Sequence, residues 1–191
     1  MKLRALISKQ GTRRLAVSAL TACTVVVAGC AIPRPLPEYQ ASLVNQQSLS
    51  RLPRGVHYRV EAVGEPTTIE NSVRAYRITA AGGGSWGAYL HDGIRNELTT
   101  SGNYDANAAS TIKVTLLAVQ LHDGNAHLTA RFVVEQGPQV RYDKMLHADG
   151  RWRTSMVGAI AVPAASQGAA AIFQNLLNQF FSDPDFVKSG A

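Results

Sequence analysis

Residues 15–28 form a predominantly apolar run of 14 residues that leads through Val27-Ala28-Gly29 into Cys30. Lys2, Arg4, Lys9, Arg13 and Arg14 stand in front of it, with no acidic residue among them. A run of this length suits the apolar region of a secretory leader and is too short to span a bilayer. It therefore reads as a leader, residues 1–29, and what folds starts near residue 30. That boundary changes the composition argument. The whole chain carries 19 basic against 13 acidic residues, a net charge of +6. Without the five basic leader residues the balance is 14 against 13, close to neutral. A near-neutral surface has no electrostatic footprint for DNA or RNA, so no nucleic-acid partner is expected. Of the two cysteines, Cys23 leaves with the leader and Cys30 ends it. The remainder has no thiol for a disulfide, for thiol catalysis or for a cysteine-ligated metal.

The small-small-Cys exit resembles the lipobox of bacterial lipoproteins. The resemblance implies that the Cys30 thiol receives a diacylglyceryl group, that the chain is cut before it, and that the new amine is acylated. At ~0.8 kcal/mol per buried CH2, one acyl chain holds marginally and two or more hold stably, so Cys30 would be a membrane anchor. Thr12-Arg13-Arg14-Leu15 resembles a twin-arginine signal, but Ala16 stands where a large apolar residue is expected, which favours general secretion. Under the enterobacterial sorting rule Ala31, in place of aspartate, implies the outer membrane and its periplasmic face.

Residues 30–55 read as the lipidated cysteine and a tether. Pro33, Pro35, Pro37 and Pro53 favour extended polyproline II, and Gln46-Gln47-Ser48 adds polar low-complexity character. Such a spacer would let the domain stand off the membrane.

Residues 56–191 read as a single domain. Val56, Tyr58, Val60 and Ala62 alternate with His57, Arg59 and Glu61, which predicts a strand. A second short strand is expected over 73–78. Gly82-Gly83-Gly84 breaks the chain and Ser85 caps a helix with Trp86, Tyr89, Leu90, Ile94 and Leu98 inward, Arg95 and Glu97 outward, and Gly102 at its end. Strands over 111–122 and 126–135 flank the hairpin chemistry of Asp123-Gly124-Asn125, with Leu121 set opposite Leu128. A strand over 140–147 follows Gln136-Gly137-Pro138. Asp149-Gly150 predicts a further turn, and Arg151 to Val157 a short last strand. Pro163 suits the first turn of a closing helix whose apolar face holds Ile172, Phe173, Leu176, Leu177, Phe180 and Phe181. Pro163, Ser166, Gln167 and Gly168 argue against a membrane span there. The expected fold is α+β, an antiparallel sheet with two helices packed on one face as a two-layer sandwich.

On these features the chain resembles a loose group of small bacterial envelope lipoproteins, the YajG-like lipoproteins and the auxiliary lipoproteins of ABC-type lipid transport systems. The shared points are the lipobox, the strand, helix and meander order, the helix from Trp86 to Leu98, and the closing Leu176-Leu177 and Phe180-Phe181-Ser182-Asp183-Pro184-Asp185-Phe186. The chain departs from the auxiliary lipoproteins in lacking a Tyr-Tyr-x-Leu-like first strand. The resemblance implies a binding or assembly component facing the periplasm, with an envelope protein or a lipid as partner. The alternatives are a cell-wall-contacting spacer and an accessory subunit of lipid transport.

Catalytic chemistry is sparse, so no enzyme activity, cofactor or metal is expected. His57, His91, His122, His127 and His147 are scattered, and only His122 and His127 would face each other across the hairpin. Gly82-Gly83-Gly84-Ser85 lacks the lysine of a phosphate loop. Asp183 and Asp185 are expected in solvent past a helix end. Arg151-Trp152-Arg153 is the surface cluster most suited to a partner: Arg151 and Arg153 share one strand face and Trp152 points inward.

Overall fold

The computed structural model describes residues 31–190. Cys30 and the expected leader, residues 1–29, lie outside the described residues. The main sheet has the strand order β2 (Tyr58–Val60), β6 (Ser110–His122), β7 (Asn125–Gln136) and β8 (Gln139–Arg151), and β3 (Thr68–Glu70) also pairs with β6. β6, β7 and β8 run antiparallel, while β2 and β3 lie parallel to β6. A smaller sheet orders β1 (Ile32–Pro35), β5 (Tyr76–Thr79) and β4 (Ser72–Val73). Helices α2 (Trp86–Ser101) and α3 (Gly158–Ser182) supply the layer on the main sheet, with α1 (Leu43–Leu49) and α4 (Pro184–Ser189) packed beside α3. This is the expected α+β sandwich.

Alternation along β7 places the layers. Ala126, Leu128, Ala130, Phe132 and Val134 are buried under the helices, and Phe173, Leu176, Leu177 and Phe180 of α3 are fully buried against them. α2 begins where Ser85 Oγ accepts from the Ala88 N–H, and it ends at Gly102, whose φ of 78° lets the Asn103 N–H reach the Leu98 carbonyl at 2.7 Å. No helix among the described residues is long and apolar enough to cross a membrane.

Five expectations need correction. The single strand expected over 73–78 is a hairpin, with β4 and β5 joined by a turn at Arg74-Ala75, where Arg74 has a φ of 57°. Residues 31–55 are not a free tether. β1 runs parallel to β5, α1 packs on α2 and α3, and Leu36, Tyr39, Leu49 and Leu52 are buried. The prolines permit this because β1 is an edge strand. Ile32 and Leu36 donate to Ala75 and Thr79, and Pro33 and Pro35 fall at intervening positions.

The hairpin register differs as well. Leu121 pairs with Ala126 and Val119 with Leu128, because the turn is the two residues Asp123-Gly124. A bulge between Leu116 and Ala118 then lifts Leu117 out of the inward row.

Asp149-Gly150 is not a turn, and no strand spans Arg151 to Val157. β8 continues to Arg151, which pairs with Asn125. Gly150 is needed for packing: a Cβ there would lie 2.4 Å from Ile172 Cδ1 of α3.

Finally, α3 starts at Gly158, so Pro163 lies inside it. The ring forfeits one backbone bond close to the helix start, where few others depend on it.

Candidate functional site

Glu97 is the largest departure from the expected surface. It is fully buried rather than turned outward. Its Oε1 accepts from the Tyr39 hydroxyl at 2.8 Å, the Ser42 N–H at 2.9 Å and the Asn45 amide at 2.7 Å. Its Oε2 accepts from the Gln46 amide at 2.6 Å, and the same amide reaches the Glu97 carbonyl at 3.1 Å. All four partners are neutral donors from residues 39–46. Burial, with the Glu97 charge beside it, pushes the Tyr39 hydroxyl far above its usual range, so it stays a donor. The arrangement is a latch that holds the segment ahead of β2 to α2. Its signal was present in the sequence: Leu90, Gly93, Ile94, Glu97 and Leu98 follow one helical stripe, and Glu97 is the polar member of it.

Among the described residues, the opposite face of the main sheet carries no helix. Arg131 forms a two-pronged pair with Asp143, with its Nε 2.7 Å from Oδ1. Lys113 reaches Glu135 at 2.8 Å. His127 and His147 stack at 5.8 Å between centroids, each 3.0 Å from Thr129 Oγ1, and His127 Nδ1 lies 2.7 Å from Asp149. His122 does not face His127. It stands opposite Asn125 and 3.3 Å from Glu70, while His127 stands opposite Gln120. No cluster of three or more metal-ligating side chains exists among the described residues. These cross-strand pairs order the face.

β8 is the free edge of this sheet, 13 residues long. One side of its backbone is paired with β7. Among the described residues, the alternate N–H and C=O groups of the other side have no strand beside them. Charged residues punctuate it, as such edges require, but Val140 and Met145 are exposed there. Lys144, on the helix side, is clamped at 2.9 Å by Asp183 and 2.7 Å by Asp185. Asp183 also accepts from the Tyr142 hydroxyl at 3.1 Å and caps α4 through the Asp185 N–H. These two carboxylates therefore join α3 and α4 to the edge strand rather than sitting free in solvent.

Burial pushes the Asp183 carboxyl up, but hydrogen bonds from Lys144, the Asp185 N–H and Tyr142 outweigh it and hold the group below the usual range. A carboxyl depressed on folding adds stability above its unfolded pKa of about 3.9, and that contribution is lost as pH falls through the lower folded value. Asp183→Asn is therefore expected to lower the denaturant midpoint at neutral pH. The gap from wild type should close as the medium is acidified below the ordinary aspartate range. A gap that stays constant with pH would show that the clamp is not ionic.

The expected partner residues sit at the end of β8. Arg151 is its last residue, and Arg153 follows in the loop to α3; both are exposed. Trp152 is half-buried between them and fills the space above Gly168, where a Cβ would lie 2.4 Å from its ring. The Trp152 backbone N–H donates to the Gly124 carbonyl at 3.0 Å, tying the loop to the hairpin turn. An open cleft of about 500 Å³ lined by Asn125, His127, Asp149 and Arg151 lies beside it.

No protein-family model matches the chain, and no curated protein matches it. Among solved structures, the chain superposes on a Xanthomonas campestris protein of the DUF330 family model with a TM-score of 0.47 and 11% identity. That match covers 78% of this chain and 94% of the other. A hypothetical protein of Chlamydia trachomatis gives 0.46 and 11%, over 69% and 97% of the two chains. A "putative lipoprotein" of Caulobacter crescentus gives 0.44 and 8%, over 75% and 93%. All three are loose superpositions.

Proposed function

We propose that this chain is a lipid-anchored bacterial envelope protein, held at the periplasmic face of the outer membrane through Cys30, whose domain is a binding or assembly component. The partner is an envelope polypeptide that adds a strand or loop along β8. What carries the reading is the combination of a lipobox-like exit at Val27-Ala28-Gly29-Cys30 with a free 13-residue edge strand on the domain that follows it. An exposed edge gives main-chain affinity to any extended segment, and the open face beside it supplies side chains for selection. Arg151 and Arg153 add positive charge where that edge ends. A catalytic role has no comparable support, since the carboxylate of Glu97 is taken up by hydrogen-bond donors and Lys113 and Arg131 on the open face are paired with Glu135 and Asp143.

The anchor is the part to test first. Metabolic labelling with a palmitate analogue should mark the wild-type chain, and Cys30→Ser should lose the label and leave the membrane fraction. Equal labelling of both would remove Cys30 as the lipid site. For the edge, a photo-crosslinker at Met145 should capture a defined envelope protein that a crosslinker at Gln167, exposed on α3, does not. Identical capture from both positions would count against β8.

A further inference from the structure

Where β1 begins, four exposed apolar side chains gather at one pole of the domain: Ile32 (53% exposed), Met156 (94%), Val157 (56%) and Ile160 (60%). Hydrogen bonds fix their neighbourhood. The Ile32 N–H donates to the Ala75 carbonyl at 2.9 Å, at the turn of the β4–β5 hairpin. Next to it, Arg74 donates through Nη1 to the Met156 carbonyl at 2.8 Å and through Nε to Asp123 at 2.9 Å, in the turn of the β6–β7 hairpin. Thr154 also hydrogen-bonds Asp123. Arg74 thus staples the start of β1, two hairpin turns and the loop before α3 together. Asp123 is occupied by Arg74, and among the described residues neither Arg151 nor Arg153 has a carboxylate at ion-pair distance. The pole is an apolar tip with unneutralised positive charge at its rim.

We propose that this pole is the surface the domain lays on an anionic bilayer, with Met156, Val157 and Ile160 entering the interfacial layer and Arg151 and Arg153 meeting headgroup phosphates. The proposal rests on the reading that Cys30 is acylated. Consecutive Cα atoms are about 3.8 Å apart, so an acyl anchor on Cys30 lies only two residues from Ile32, which is already fixed in β1. No slack remains for a stand-off, and the bilayer surface has to meet whatever surrounds Ile32. That surface is apolar and basic, the composition that binds at an anionic interface. The strands β6 to β8 then rise from the membrane. Eleven residues of β8 at ~3.3 Å each carry Val140 about 36 Å from Arg151. The free edge is thereby presented upright to partners in the space above.

The test uses the full chain, processed and acylated, in vesicles of phosphatidylethanolamine and phosphatidylglycerol with a nitroxide on the headgroup. Met156→Cys and Val140→Cys each introduce a single free thiol, because Cys23 is removed with the leader and the Cys30 thiol is taken by lipid. A fluorophore at position 156 should be blue-shifted and quenched, and one at 140 neither. Adding Arg151→Ser and Arg153→Ser, or replacing the anionic lipid with phosphatidylcholine, should reduce quenching at 156 while the anchor keeps the protein on the vesicle. If the acylated, vesicle-bound protein shows the same quenching at 156 and 140, the membrane-facing pole is refuted and the anchor stands. Protection at 156 that requires an added envelope protein would also refute it, by making the pole a protein dock. If the wild type carries no acyl group, the anchor reading falls and this inference with it.

Discussion

Glu97→Ala is expected to cost roughly 3–5 kcal/mol of stability, because it removes a fully buried carboxylate that accepts from four donors, with Tyr39 and Asn45 buried and Ser42 and Gln46 half-buried. Leaving a buried donor unpaired costs about 1–3 kcal/mol, and water entering the space left by the side chain offsets part of the sum. The damage should be local before it is global. Hydrogen exchange over residues 39–49 should rise first, while β6 and β7 keep their protection, because the latch joins α1 and the chain before it to α2. Glu97→Gln is the discriminating companion. Its oxygen can still take Tyr39, Ser42 and Asn45, but its amide then meets the Gln46 amide donor to donor. An intermediate loss of about 1–2 kcal/mol is expected, of the order of one lost bond with its unpaired donor. If Glu97→Ala left both the denaturant midpoint and the exchange of residues 39–49 unchanged, the segment would be held by its apolar contacts and its bonds to Asn96 and Gln174, and not by the Glu97 carboxylate.

The same residue marks the limit of what the sequence made legible. Helices α2 and α3 could be read because their apolar residues repeat at the helical period over 16 and 25 residues. The layer arrangement followed, since two amphipathic helices and a set of alternating strands have few ways to bury their faces. Local signals with more than one physical cause were misread. Gly150 looked like a turn residue, yet it is small so that Ile172 can pack against the strand. The prolines of 31–37 looked like a spacer, yet on an edge strand two of them occupy positions that need no donor. Glu97 looked like a surface charge because it is a carboxylate; its place on the buried stripe was legible, but its partners, more than fifty residues earlier in the chain, were not. Nothing in a one-dimensional pattern connects a Gln-rich stretch to a helical carboxylate that needs its amides. For the candidate site, the lipobox and the two arginines were legible as residue types. That the loop holding Arg153 meets the start of β1 was not, because it depends on Arg74 bridging an early hairpin turn to a loop about eighty residues later.

Phe180→Ala is the second change expected to have a large effect, about 3–5 kcal/mol, in the range of buried aromatic truncations. Phe180 is fully buried at the meeting point of sheet and helices. Its ring lies 4.5 Å from Phe132 of β7, 5.5 Å from Tyr142 of β8 and 4.3 Å from Phe186 of α4, measured between centroids. Phe186 in turn reaches Tyr58 of β2 at 5.5 Å, so one ring links the free-edge strand to the opposite edge of the sheet through the terminal helix. Each such pair adds about 0.5–1.5 kcal/mol beyond the area it buries. Truncation to alanine therefore loses burial, pair energy and the support of α4 together. At about 2–4 °C per kcal/mol for a domain of this size, the melting temperature should fall by roughly 10 °C. Ile160→Ala, at the exposed pole, should leave it within about 0.5 kcal/mol of wild type. Equal melting temperatures for the two variants would mean that the cluster around Phe180 does not hold α4 and β8 together, and that the free edge depends on the Lys144 clamp alone.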